Sequence, residues 1–159
     1  MVHSAGAFSA PVFVKGVAMI AMVLVEQGKP LQMREVEMPV PTQGQVRIQV
    51  NVCGICRTDL HVLDGDLKEP KLPLVMGHQI VGTVDEVGKG VTSFSEGDKV
   101  GVPWLGESCG ECYYCLNDME NLCDNAVYTG YQRDGGFAEY CVASEDYCFS
   151  VPNGYPDIQ

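Results

Sequence analysis

Residues 45–52, Gln-Val-Arg-Ile-Gln-Val-Asn-Val, alternate polar and apolar positions without a break. A period of two places every second side chain on one face, so this stretch predicts a half-buried strand. Residues 17–26 are apolar almost throughout and predict a buried strand, closed by the turn Gly28-Lys29-Pro30. A second strand is expected at 31–37, broken by Pro39-Val40-Pro41. Others follow at 80–87, ended by Gly88-Lys89-Gly90, and at 98–104, 137–142 and 147–151. Residues 53–66 lack the alternation and predict a turn with a short helix. Many short strands with Gly and Pro between them, and almost no helical period, predict a mainly β chain folded as a barrel or sandwich. Residues 1–16 hold no acidic side chain and many small ones, which predicts a loose arm, with Met19 and Met22 as alternative starts. No internal repeat or low-complexity linker interrupts the pattern.

Composition narrows what such a barrel does. The 159 residues suffice for one good domain and not for two. With 21 acidic against 10 basic residues the formal charge is −11, which disfavours nucleic-acid backbones and anionic membrane faces as partners. The longest apolar run, 17–25, is nine residues, against roughly 18–20 for a membrane span. It follows Lys15 as a signal-peptide core would, yet Glu26-Gln27-Gly28-Lys29-Pro30 offers no small-residue cleavage site. Eight cysteines in so short a chain suit a secreted disulfide scaffold, but their clustering points to metal ligands and a reducing cytoplasm.

Cys109, Cys112, Cys115 and Cys123 fall within fifteen residues, with two, two and seven positions between them. Four thiolates at short spacing close a tetrahedron around Zn²⁺. Two disulfides, an iron–sulfur cluster and unused buried thiols are the competing readings. An iron–sulfur site is disfavoured because the fourth cysteine comes late and no proline follows it. Residues 106–125 contain five acids (Glu107, Glu111, Asp118, Glu120, Asp124), no Lys or Arg and few aliphatic side chains. A zinc lobe of that composition substitutes the metal for a core. A closed four-sulfur site leaves no position for substrate, so chemistry belongs elsewhere.

The second constellation is Cys53-Gly-Ile-Cys56-Arg57-Thr58-Asp59-Leu60-His61, then Gly77-His78-Gln79. Cys56 and His78 can meet on a metal once folded, although on spacing alone a lone cysteine and a lone histidine are more often core filler; Cys53 with Cys56 can alternatively form a redox pair, but the βαβ context of such pairs is missing. No Gly-x-Gly-x-x-Gly follows any predicted strand, so the chain has no dinucleotide fold of its own.

Cys53-to-His61, Pro73-Leu-Val-Met-Gly-His78, the Gly-Asp-type turns and the four-cysteine loop, in that order, resemble the zinc-containing medium-chain alcohol dehydrogenases. The similarity runs from about Ala18 to Pro152. It implies a GroES-like, partly open β-barrel over 17–152, with 153–159 as a tail leading into a Rossmann domain. Cys56 and His78 resemble two catalytic zinc ligands; the third, a cysteine, lies in the family beyond Gln159. Thr58 matches the hydroxyl that takes the alcohol proton, His61 the histidine that passes it outward, and Arg57 a basic residue at the cofactor pyrophosphate. Asp59 matches the carboxylate behind the ligand histidine, and Trp104 an aromatic wall of the alcohol pocket or an ordinary packing residue. Cys109, Cys112, Cys115 and Cys123 match the structural zinc ligands. Gln79 departs from the family's Glu and would leave the site one charge more positive. Cys141 and Cys148 match no ligand and are expected as core or surface thiols. The resemblance implies NAD or NADP as cofactor, a small alcohol or aldehyde as substrate and a homo-oligomer. A zinc-stabilised barrel without catalysis, serving as a binding or assembly module or arising as a truncation product, is the rival from another class, and a metal-free quinone reductase relative is a weaker one.

Overall fold

The computed structural model describes residues 17–152 and 154–159; the arm expected at 1–16 lies outside them. Strand β1 (Ala18–Leu24) pairs antiparallel with β2 (Gln32–Glu37) on one side and with β4 (Leu74–Val75) on the other. A five-stranded sheet runs in the order β10-β6-β5-β3-β9, from Phe149–Ser150, Lys99–Val102, Gln79–Val87, Gln45–Gly54 and Tyr140–Ser144. A third, two-stranded sheet joins β7 (Leu105–Glu107) to β8 (Val127–Tyr128). The two larger sheets meet just before β9. There Met22 N donates to Phe137 O at 2.8 Å and Glu139 N to Ile20 O at 3.1 Å, around a bridge between Ala21 and Ala138. The sheets are joined on this side without full closure, a partly open barrel.

Period-two patterning decides what the barrel buries. Val46 and Ile48 of β3, Ile80 and Val84 of β5, Val100 and Val102 of β6, and Ala143 of β9 fill one core. Cys141 and Cys148 lie in it too, and burial pushes Cys148 up to about 12. They are inert core thiols. A second cluster of Leu24, Val62, Leu74 and Met76 sits under α1 (Arg57–Asp64), the only α-helix among the described residues.

Several strands differ from expectation in length. β1 stops at Leu24, β6 ends at Val102 so that Trp104 leaves the sheet, and β9 begins at Tyr140 because 137–139 are spent on the junction. β4, β7 and β8 are too short to show any period and were not predicted. Beyond β10, the Asp157 carboxylate accepts from Asn51 Nδ2 at 2.8 Å and pairs with Lys99, tying 154–159 across the sheet. No helix of the described residues is long and apolar enough to cross a membrane.

Candidate active site and metal centres

The register of two strands builds the first site. β3 and β5 run antiparallel, with Cys53 opposite Ile80 and Gly54 opposite Gln79. Cys56 follows the end of β3 by two residues and His78 precedes β5 by one, so the pairing delivers both to one place. Cys56 is also the N-cap of α1, where its sulfur accepts the Thr58 N–H at 3.3 Å. Asp59 completes a capping box by accepting the Cys56 N–H at 2.9 Å. The Cys56 sulfur lies 2.9 Å from His78 Nε2. Behind the imidazole, His78 Nδ1 faces Asp59 Oδ1 at 3.2 Å, off the line of a hydrogen bond, and both atoms are buried without another partner.

Electrostatics follow from this packing. Burial opposes ionisation of Cys56, but the Thr58 hydroxyl and amide, then His78, outweigh it and hold the thiol below its ordinary value. For His78, burial disfavours the cation, and Asp59 and then Cys56 reverse that, leaving the imidazole above its ordinary value. A soft thiolate beside an imidazole is a good donor pair for zinc or another borderline metal. Cys56 and His78, 2.9 Å apart, would hold such a metal in place of the proton they now share. Cys53 is different: burial pushes its thiol up to about 11 despite the Gln79 amide, the opposite of a reactive redox thiol. Asp59→Ala strips both the capping bond and the imidazole's partner. It is expected to cost about 2–4 kcal/mol in urea denaturation, the sum of a lost cap and an unsatisfied buried group.

Thr58 and His61 are three residues apart on α1 and so share a helix face. His61 is half-exposed and its Nδ1 pairs with Asp66 Oδ2 at 2.8 Å, which leaves Nε2 without a partner among the described residues. Arg57 is exposed and makes no ion pair or hydrogen bond among the described residues. Gln79 is exposed too, its amide folded over Gly54, and it makes no hydrogen bond to Cys56, Asp59 or His78. The structure therefore brings Cys56, Asp59 and His78 together and leaves the Gln79 side chain outside the cluster. Trp104 sits between β6 and β7, with its ring centroid 4.8 Å from that of His78, edge to face.

Sequence reasoning missed what backs His78. Gly77 adopts φ 93°, open to glycine alone, and a Cβ there would lie 2.5 Å from Phe137 and 2.8 Å from the Cys53 sulfur. Gly135 and Gly136 cross it backbone to backbone, with Gly136 N donating to Gly77 O at 2.9 Å. Asp134-Gly135-Gly136 was the available signal, since paired glycines inside a strand pattern mark close backbone approach.

In the second centre Cys109, Cys112, Cys115 and Cys123 present their sulfurs within 4.8 Å of one another. Neighbouring pairs are separated by 3.5 Å (112–115), 3.5 Å (109–123) and 3.9 Å (109–115). A tetrahedron with Zn–S bonds of about 2.3 Å has edges of about 3.8 Å, whereas disulfide sulfurs lie about 2.05 Å apart. The spacing suits one tetrahedral ion. Backbone N–H groups of Glu111 and Cys112 hold Cys109 down to about 6. At Cys123, burial and the sulfurs of Cys109 and Cys115 outweigh two amide donors and push the thiol up to about 11. Four sulfurs this close ionise together only around a cation.

A family model for the alcohol dehydrogenase GroES-like domain matches residues 42–153. An alcohol dehydrogenase of Geobacillus stearothermophilus is 48% identical over 136 residues, which is 85% of this chain and 40% of the relative. A zinc-binding dehydrogenase from Sinorhizobium meliloti 1021, bound to NADP, superposes with a TM-score of 0.81 at 34% identity, over 88% of this chain and 40% of that one. A thermostable alcohol dehydrogenase from Pyrobaculum aerophilum with cobalt and zinc bound gives 0.79 at 32%, over 84% and 41%. This chain thus spans about two fifths of the length of the relatives it matches. Joined to the barrel and its two thiol-bearing centres, these likenesses make the chain a member of the alcohol dehydrogenase GroES-like domain family.

Proposed function

We propose that the chain is the catalytic part of a zinc-dependent dehydrogenase that interconverts small alcohols with aldehydes or ketones, using NAD or NADP. The observation supporting this reading most directly is the 2.9 Å approach of Cys56 to His78 inside a barrel of this family. Zinc held by Cys56 and His78 would supply Lewis-acid polarisation of the alcohol oxygen. Asp59 keeps the His78 tautomer with Nε2 free for the metal. The Thr58 hydroxyl accepts the alcohol proton, and His61, one turn along the same face, passes it to solvent through its exposed edge. Arg57, exposed and unpaired among the described residues, meets the negative pyrophosphate of the cofactor. The half-buried Trp104 forms one wall for the substrate carbons. Zinc at Cys109, Cys112, Cys115 and Cys123 has a structural part only. Residues 154–159 lead towards the dinucleotide-binding domain that such an enzyme needs, and eight free thiols suit a reducing cytoplasm. A small-molecule substrate, a homo-oligomeric assembly and no nucleic-acid or membrane partner complete the reading.

In the protein that joins this chain to its cofactor domain, Cys56→Ala is expected to lower alcohol-dependent nicotinamide reduction by about 10³-fold or more, several kcal/mol of lost polarisation. It should also remove one metal equivalent and spare the four-cysteine one. Undiminished turnover would overturn the assignment. A non-catalytic, zinc-stabilised barrel is the second reading, favoured by the fact that the described residues offer the site only two facing donors, Cys56 and His78. Metal analysis separates the readings, because the barrel alone retains only the metal of the four-thiol lobe.

A further inference from the structure

Trp104 is the only tryptophan in the chain, and three of its neighbours are rings. It stacks on Tyr128 at 4.8 Å and 15° and on Tyr131 at 5.9 Å and 25°, and meets His78 at 4.8 Å and 68°. Tyr131 is held at both ends. Its hydroxyl donates to the Lys68 carbonyl, and its own carbonyl accepts from Lys71 N at 3.0 Å. It is partly buried and packs against the cluster under α1 formed by Leu24, Val62, Leu74 and Met76. One phenol therefore links the loop after α1, the underside of the helix that bears Cys56 and Asp59, and the indole that touches His78.

His78 has need of such a link. Its one polar restraint on the Nδ1 side, Asp59, is 3.2 Å away and off the hydrogen-bond line. The imidazole turns about a broad torsion with no staggered wells, so one off-axis contact does not fix its plane. An edge-to-face ring does, provided that ring is itself immobile. Trp104 lies outside any strand and is only half-buried, so its immobility comes from the tyrosines.

We propose that Tyr131 is a positioning residue for His78: it clamps the Trp104 indole edge-to-face against the imidazole and so fixes the direction of Nε2. The consequence for metal rests on reading Cys56 and His78 as ligands; the clamp itself does not.

Two measurements on the isotopically labelled 159-residue chain test it. First, nuclear Overhauser contacts between the Trp104 and His78 rings are followed without metal. Tyr131→Leu is expected to abolish them, and Tyr131→Phe, which keeps the plane that stacks, to restore them. Second, Co²⁺ is titrated while Trp104 fluorescence is quenched. Tyr131→Leu should raise the midpoint about tenfold, the usual effect of losing a partner behind a ligand, while Tyr131→Phe tracks the unmodified chain. Amide-proton dispersion and exchange protection of β3, β5 and β6 certify that the barrel of each variant is folded. Tyr131→Met refills the volume without a ring and repeats both measurements if the leucine variant does not fold. Ring contacts and midpoint both unchanged in Tyr131→Leu would overturn the proposal. Quenching that is equally absent from the unmodified chain and from Cys56→Ala would defeat the metal reading, and the ring contacts would still decide the clamp.

Discussion

Stripping the four-thiol lobe of its metal, with a strong chelator or by Cys112→Ala, is expected to unfold residues 106–125 and leave the barrel standing. The lobe has almost nothing else to hold it. Between Glu107 and Asn125 only Cys123 is buried, while Tyr113, Leu116 and Leu122 are exposed. Its regular structure is limited to two 3₁₀ turns, Cys115–Asn117 and Glu120–Leu122, too short to persist alone. Five carboxylates and no basic residue in 106–125 add mutual repulsion. Structural zinc at such sites binds with an apparent free energy of about 10–16 kcal/mol, far above what a segment without a core supplies. Tethers to the barrel are few and sit at its edges: the β7–β8 pair, Arg133 donating to Gly106 O at 3.1 Å and pairing with Glu107 at 2.6 Å, and the Tyr147 hydroxyl donating to Ser108 Oγ at 2.6 Å. Amide hydrogen exchange distinguishes the outcomes. Protection should vanish across 106–125 and persist in β3, β5 and β6, and the freed cysteines should become open to alkylation. Full protection of the lobe after metal removal would mean that ordinary packing holds it.

The contrast between lobe and barrel also explains how much of this protein was readable from its sequence. β3 was clear because one face is buried and the other wet, so its first eight residues alternate. The four cysteines were clear because all of them sit on one short segment. Cys56 and His78 are another matter. Nothing local joins them, and only the β3–β5 register, set by long-range pairing, puts 2.9 Å between them. The resemblance named them; spacing did not. Tyr131 was invisible for the same reason, since its ring acts through Trp104 on a residue more than fifty positions earlier. Gln79 too was named by the resemblance alone, and its exposed side chain lies over Gly54 without a hydrogen bond to Cys56, Asp59 or His78. The short strands β4, β7 and β8 exist because neighbours pair with them and have no pattern of their own.

Gly135→Ala should be among the most damaging single substitutions in the barrel, although it adds one methyl group. A Cβ at Gly135 would stand 1.9 Å from Gly77 O and 2.9 Å from both Gly77 C and Gly130 Cα, all of them backbone atoms that no rotamer change can move. The strands must separate instead. Three hydrogen bonds cross this junction: Gly135 N to Val75 O at 2.7 Å, Gly136 N to Gly77 O at 2.9 Å and Phe137 N to Met76 O at 2.9 Å. Overpacking alone costs about 1–3 kcal/mol, and weakening two or three buried bonds brings the expected loss to about 3–5 kcal/mol. That is a large share of the roughly 5–15 kcal/mol that holds a domain together. Gly101→Ala is the matched control, because the nearest atom to its new Cβ is a Val151 methyl at 3.5 Å, an ordinary contact. Its urea midpoint should move little, while that of Gly135→Ala falls sharply. Function should fail alongside stability, since the displaced backbone is Met76-Gly77-His78 itself and Nε2 would swing away from the Cys56 sulfur. Co²⁺ binding by whatever fraction of Gly135→Ala stays folded reads this directly, with the four-thiol lobe as internal reference. Equal midpoints for the two alanine variants would show that the chains do not cross this closely, and the account of how His78 is placed would fall with them.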